Sequence, residues 1–491
     1  MRHHLILLSF IYLLASSTAL ANTPYSDDNN SRTLSPHKLP SIGNTSSTLV
    51  SIEQERKLGE AWLRSLRGQV NTFNNAITEE YLSQLIYSLA PYSSVIDRNF
   101  SLVMIDSPAL NAFAVPGSII GVNAGLFVHA FSEQEFASVL AHELAHLGQR
   151  HYARQLEQQQ ISTPLTLAGI LASVVIAATT GSDAGLAALA ATQAASAEQQ
   201  LSFSRQNEQE ADRLGITTLY SAGYNPRAMP VMFERMFKKS RLQGNAIPEY
   251  LSTHPLSESR ISDTRNRATQ YKHRNYADNI EYHISKNMII SDYAESKKSA
   301  TTYFNSIITK GNTSQIDAAK FGLAYASLKH KPKKAIEILE KLIEKTPNRI
   351  SFLVTYAKAL HYNKQSKLAI KTLKTALERN PDNYPILDTL AELYLETNLI
   401  QESEKTLKTL VRLQQQNPRL WYDLAEVHGL AGNIIDLHRA RAEYFFLTNR
   451  LENAIKQLKI AMQKSKDKNQ SITLIQKRMD EIYWVKNNPV F

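Results

Sequence analysis

Alanine and proline return at a fixed interval in the last third of this chain. Ala357, Ala391 and Ala425 stand 34 residues apart, as do Ala335 and Ala369, and Pro347 and Pro381. Small apolar residues at that interval, set among larger ones, predict pairs of helices packed so closely that only a small side chain fits between them. The clearest unit runs from about residue 350 to 382. Within it Ala357, Ala369 and Ala376 permit close approach, and Asn380-Pro381-Asp382 ends the second helix. Trp421, Leu424 and Ala425 open a further pair, whereas Ser403 stands where the period calls for Ala and Pro418 arrives three residues late. About four repeats and a closing helix near residues 471–485 fit the length. Arrays of this kind stack into a curved solenoid whose concave face binds peptides or folded partners.

Other patterns precede the array. Glu133 to Ala141 contains neither Gly nor Pro, with Ser132 placed to cap it and Glu135 three residues later, so a helix starts there and runs on through residue 146. A second helix-favouring stretch covers about residues 195–214. Ser118-Ile119-Ile120-Gly121-Val122 follows a Pro-Gly turn and reads as a short strand. A free edge on that strand, at Ile119, Ile120 and Val122, would pair with an extended peptide backbone, which binds without demanding particular side chains. The competing expectation is a plain buried strand.

Two apolar runs raise the question of a membrane. Leu5 to Leu14, behind Arg2 and ahead of Ala19-Leu20-Ala21, has the make-up of a secretory signal cleaved after Ala21. Leu165 to Ala178, inside Ala-rich sequence reaching about Ala197, falls short of the roughly 20 residues a spanning helix needs, and Gly181-Ser182-Asp183 interrupts it. It predicts a buried or interfacial helical hairpin, with peripheral membrane contact as its furthest reach. The expected layout is a signal peptide over 1–21, a flexible Ser-, Thr-, Asn- and Pro-rich segment over 22–50, a mostly helical domain with a small sheet over 51–270, a helical connector over 271–310 and the repeats over 311–487.

Composition narrows the setting. The 491 residues are 43% hydrophobic and contain no cysteine, so the chain builds packed cores without disulfides, and the signal is not followed by the cysteine that lipid attachment at a lipobox needs. From residue 301 onwards 30 Lys and Arg face 19 Asp and Glu, which accounts for all of the net charge of +10. No DNA- or RNA-binding motif accompanies the basic residues. Anionic lipid or an acidic protein surface is the expected partner of that charge, not nucleic acid, and a charge that only solubilises the chain is the competing expectation.

Within the first predicted helix lies His142-Glu143-Leu144-Ala145-His146. Residues four apart project from nearly one face of a helix, so two imidazoles at this spacing grip one metal ion, with the Glu143 carboxylate beside it to take a proton from water. A catalytic zinc takes three protein ligands and one open position. The arrangement with a third ligand six residues downstream fails, because Tyr152 stands there. Glu208, on the second helix, offers the alternative, and Asp212, one turn on and on the same face, orients a ligating histidine. Glu210, two residues from Glu208, falls on the opposite side and reads as surface. His254 and Arg260, in Thr253-His254-Pro255-Leu256-Ser257-Glu258-Ser259-Arg260, carry two readings each. His254 stabilises an oxyanion or closes a resting site as a fourth ligand. Arg260 stabilises negative charge on the reacting group or serves as an ion-pair partner.

His142-Glu143-x-x-His146, Glu208-x-x-Ala211-Asp212 and His254-Pro255-x4-Arg260, with Asn111 to Gly117 and Arg150-His151, resemble metallopeptidases of the HtpX / CaaX-prenyl-protease type over about residues 51–270. The resemblance implies Zn2+, one per chain, on His142, His146 and Glu208, Glu143 as catalytic base, and Asp212 as a proton donor, a role that competes with orienting a histidine. It implies an α+β gluzincin-type metalloprotease domain with a small sheet; the 34-residue period, that of tetratricopeptide repeats, predicts the α-solenoid behind it, in a mainly α protein. With the signal and the repeats, the chain is similar to periplasmic members of this type. These act on unfolded or misassembled outer-membrane β-barrel proteins, reach their assembly machinery through the repeats, and add a chaperone-like activity to proteolysis. Two rival functions remain at this point: a non-hydrolytic scaffold with a capped metal site, and a membrane-embedded prenyl-protein protease, against which the lack of a long apolar span speaks.

Overall fold

The computed structural model describes residues 51–158, 204–242, 249–465 and 469–488. The proposed signal peptide, the 22–50 segment and the apolar run from Leu165 to Ala197 lie outside the described residues. Among the described residues no helix is long and apolar enough to cross a membrane.

Two helices open the described residues, α1 (Ile52–Gln69) and α2 (Ala76–Leu89), each started by a polar cap, Ser51 and Asn75 respectively. Three short strands follow, β1 (Ser101–Ile105), β2 (Ala112–Val115) and β3 (Ile119–Asn123), in the order β1-β3-β2. β3 pairs parallel with β1 and antiparallel with β2. This corrects the expectation of a free edge at Ile119, Ile120 and Val122. β3 is the central strand, with both its edges paired and all three side chains at most 1% exposed. Strand order is a long-range property, and a local apolar run is equally compatible with centre and edge. β1 is partly covered on its outer side, where Phe73 N–H donates to Met104 O and Asp106 N–H to Asn71 O. The side of β2 away from β3 is therefore the one strand edge without a backbone partner strand among the described residues.

Behind the sheet run α3 (Ala124–His129) and α4 (Glu133–Gly148). The Ser132 hydroxyl accepts from the N–H of Glu135 and starts α4 as its sequence predicts. α4 is a core helix. Phe136, Ala137, Val139, Leu140, Ala141 and Leu144 are completely buried, in one cluster with Leu82, Ile86, Phe127 and Met232. Full burial of the larger of these side chains contributes about 1.5–3 kcal/mol each, enough to hold the polar residues of α4 away from water. α5 (His151–Gln158) leaves at an angle, because Arg150 takes a left-handed conformation at φ +50°. Its guanidinium Nε donates to Glu55 Oε1 at 3.1 Å, which anchors the bend.

α6 (Arg205–Ser221) lies along α4. The close approach depends on Gly215, where an added Cβ would sit 3.3 Å from the Ala141 backbone. α7 (Ala228–Leu242), α8 (Glu249–Thr253) and α9 (Glu258–Thr269) then close over the same end of α4.

From α10 (Ile280–Tyr293) and α11 (Lys297–Lys310) onwards every described element is a helix. Paired helices follow as α12 (Thr313–Ser327) with α13 (Pro332–Lys345), and α14 (Ile350–Tyr362) with α15 (Ser366–Arg379). Next come α16 (Tyr384–Glu396) with α17 (Ile400–Leu413), and α18 (Pro418–Leu430) with α19 (Ile434–Leu447). α20 (Leu451–Lys464) and α21 (Asn469–Asn487) end the array. The periodic alanines sit where helices touch: Ala335, Ala357, Ala369 and Ala425 are fully buried. Ser403, the exception to the period, is buried too. Its hydroxyl donates to Ala391 O at 2.9 Å, so a small polar residue fills the alanine position with its hydrogen bond satisfied.

Ser47–Phe491 forms one compact unit. The N-terminal part and the repeats meet around α2: Ile77 is buried with Phe321 and Phe352 of the repeats, Tyr384 OH donates to Glu79 Oε2 at 3.0 Å, and Arg419 Nη2 to Tyr384 OH at 3.0 Å.

Candidate metal centre

α4 presents His142, Glu143 and His146, all buried, to the face that α6 covers with Glu208 and Asp212. The turn after α8 adds His254, also buried. One donor atom from each of His142, His146, Glu208 and His254 falls within 4.8 Å of all the others. The closer pairs are tighter. His142 Nε2 is 3.0 Å from His146 Nε2, 3.5 Å from Glu208 Oε2 and 3.4 Å from His254 Nδ1. Glu208 Oε1 is 3.3 Å from His146 Nε2 and 3.0 Å from His254 Nδ1. Ligands bonded at about 2.0–2.1 Å in a tetrahedron stand about 3.4 Å from one another. The four donors, all within 4.8 Å of one another, are gathered closely enough to surround one cation. The set is also chemically apt: nitrogen and carboxylate oxygen, without thiolate.

The surroundings agree. Asp212 Oδ1 lies 3.0 Å from His142 Nδ1, an ion-pair contact on the side of the ring away from the Nε2 that faces the cluster. Arg260 grips Asp212 through Nε and Nη2, both at 2.8 Å. Its Nη1 donates to Pro255 O at 2.7 Å and lies 2.7 Å from Glu208 Oε2. Arg260 is thus committed to two carboxylates and the loop carrying His254. Glu143 behaves differently. It is fully buried, 3.5 Å from His254 Nε2, and neither of its oxygens has a well-formed hydrogen bond among the described residues. Leaving a buried carboxylate unsatisfied costs on the order of several kcal/mol, and such a group persists where function needs it.

The charges respond to this crowding. Burial pushes the Glu143 carboxyl above its ordinary range. Burial acts the same way on Glu208, but His254 and Arg260 outweigh it and hold that carboxyl well below the usual range. Burial disfavours charge on His142, yet the Asp212 and Glu208 carboxylates prevail and lift it to about 9. His146 goes the other way, lowered by burial. A cation bound at this point competes with the His142 proton, so its affinity weakens as pH falls.

All seven residues that the sequence places around the metal, His142, Glu143, His146, Glu208, Asp212, His254 and Arg260, come together here. The residues of β3 do not join them. Three further residues take part that the sequence reading passed over or set aside. Tyr250, buried in α8, stacks on the His254 ring with centroids 4.6 Å apart. His151, fully buried, places its Nδ1 2.8 Å from His146 Nδ1. Glu210, expected at the surface, accepts from His151 and Arg154 at 3.1 and 2.8 Å. The correction has a simple cause: Glu210 does point away from Glu208, but α5 lies on that side.

Residues 76–268 match the model of Peptidase family M48, and residues 360–427 that of a Tetratricopeptide repeat. The beta-barrel assembly-enhancing protease of Escherichia coli (strain K12) is 34% identical over 316 residues, 64% of this chain and 64% of that protein. A putative protease of the same name from Vibrio cholerae serotype O1 is 37% identical over 321 residues, 65% of this chain and 66% of its own length. The chain thus spans slightly less than two thirds of the length of these relatives. Among solved structures, a thermophilic TPR protein of Thermus thermophilus matches at 18% identity and a TM-score of 0.28, over 42% of this chain and 100% of that one.

Proposed function

With an M48 peptidase domain over residues 76–268 and tetratricopeptide repeats behind it, we propose that the chain is a periplasmic zinc endopeptidase. Its proposed task is assembly and quality control of outer-membrane β-barrel proteins. The observation that carries the proposal is the cluster of His142, His146, Glu208 and His254 donors within 4.8 Å of one another, next to a buried Glu143 whose oxygens lack a well-formed hydrogen bond among the described residues. The names of the relatives support the client class, the repeats support a docking role, and the signal-like start of the chain supports the compartment.

In this reading His142, His146 and Glu208 hold Zn2+. An ion held there would supply Lewis-acid chemistry, acidifying a water and polarising a peptide carbonyl. Glu143 accepts the proton of the attacking water and returns it to the leaving amine, a task suited to a carboxyl raised by burial. Asp212 holds His142. With both its oxygens occupied by Arg260, it orients the ligand and does not deliver a proton. Arg260 neutralises the Glu208–Asp212 pair. His254, as a fourth donor, closes the site in a resting state, and its departure opens a position for substrate. That closed form is the common ground with a non-hydrolytic scaffold: the two are states of one protein.

Substrate binding passes from β3 to the open edge of β2. Asn123 N–H donates to Asn111 O, so Asn111, Phe113 and Val115 face β3, and the backbone groups of Ala112 and Ala114 point outward. An extended client segment adds there as a further strand, as an unfolded barrel strand can do. Ala114→Pro removes one outward N–H while edge strands tolerate proline. We expect KM for an unfolded barrel substrate to rise about tenfold, the equivalent of one lost hydrogen bond, with kcat little changed. An unaltered KM would move the substrate elsewhere.

Removing the metal tests the reading as a whole. Chelator-treated protein is expected to lose cleavage of an unfolded outer-membrane barrel protein and to regain it with zinc. Its melting transition should rise on reloading, since saturation at about 1,000 times Kd stabilises by about 4.1 kcal/mol. Full cleavage by verified metal-free protein would refute it.

A further inference from the structure

We infer that His151 and Glu210 form a positioning relay that holds His146 in the tautomer and orientation a metal ligand needs. The inference rests on reading His142, His146 and Glu208 as ligands. Hydrogen-bond polarity carries it. Glu210 Oε2 accepts from Arg154 Nη2 at 2.8 Å and, being a carboxylate oxygen, accepts from His151 Nε2 at 3.1 Å as well. His151 therefore carries its proton on Nε2, and its Nδ1 offers a lone pair. That lone pair lies 2.8 Å from His146 Nδ1, which donates to it. The proton of His146 is thereby fixed on Nδ1, and its Nε2 is left with a lone pair aimed at the donor cluster. Each link follows from the one before, with Glu210 setting the direction.

The backbone makes this relay possible. His151 follows His146 by five residues, which on a continuous helix would place it away from the metal-facing side. The left-handed turn at Arg150 breaks the helix and swings His151 back, with its ring edge-on to that of His146 at 4.8 Å between centroids. The two histidines of the HExxH motif are then served differently: His142 by Asp212 directly, His146 by Glu210 through a second imidazole. Outer partners of this kind typically contribute about 10–100-fold in metal affinity.

The test is the zinc dissociation constant of the purified full chain, measured by competition with a chromophoric chelator, independently of proteolysis. His151→Leu, which removes the acceptor, is expected to bind zinc about 10–100-fold more weakly than wild type. His151→Gln, whose amide oxygen accepts from His146, is expected to recover most of that loss. Glu210→Ala, at a side chain still 28% exposed and so tolerant of change, is expected to weaken zinc binding in the same direction. Should His151→Leu fail to fold, Glu210→Ala decides alone. Wild-type affinity in His151→Leu or Glu210→Ala overturns the relay, even if the metal-free melting temperature drops, and leaves the zinc reading intact. A wild type that takes up no zinc overturns both.

Discussion

Glu143→Gln is expected to abolish proteolysis while leaving the metal in place. Glutamine has nearly the same shape and reach, but its amide cannot accept the proton of an attacking water. General-base catalysis contributes about 10²–10⁴-fold, and the fall in kcat should be of that order with KM nearly unchanged. The fold should not suffer. Glu143 makes no well-formed hydrogen bond among the described residues, and a neutral amide replaces a carboxylate that burial already penalises. The check is a paired measurement on one preparation: turnover of an unfolded barrel protein, and zinc per chain. Retained turnover would show that another group takes the proton. Lost zinc would show that Glu143 belongs to the ligand set.

His254→Ala separates two roles for the same side chain, and the expected result is a gain. His254 Nδ1 sits 3.0 Å from Glu208 Oε1 and 3.4 Å from His142 Nε2, among the donors and not beside them. A fourth ligand there competes with substrate for the open position. Its removal should raise cleavage at least about tenfold, corresponding to a latch worth about 1.4 kcal/mol or more. If His254 instead stabilised an oxyanion, the same substitution would cost about 10²–10³-fold. Tyr250 stacks on the ring at 4.6 Å between centroids. The assay is initial rate on an unfolded barrel client at matched zinc content. A loss of rate would sink the latch, and an unchanged rate would make His254 a bystander.

The gathering of the candidate ligands was legible in the sequence because it depends on helical spacing, which a short stretch of chain determines for itself. His142 and His146 share a face of α4, Glu208 and Asp212 share a face of α6, and nothing distant alters either fact. The 34-residue recurrence of alanine was legible for the same reason. What stayed hidden depends on neighbours remote in sequence. Ile119, Ile120 and Val122 form a strand as expected, yet whether it is central or at an edge rests on where β1 and β2 dock. The helical wheel put Glu210 on the far side of α6 correctly, but could not show that α5 occupies that side. The signal for His151 was the Arg150-His151 pair itself, a histidine just past the motif that a core can bury, and its role needed the left-handed turn at Arg150.

The most direct test of the account is zinc K-edge X-ray absorption on protein purified without chelator, together with metal analysis. The account predicts one zinc per chain in a four-coordinate shell of nitrogen and oxygen at about 2.0–2.1 Å, with the outer-shell scattering of three imidazoles in the resting state. Less than stoichiometric zinc in such a preparation, or a six-coordinate shell without imidazole scattering, would contradict it.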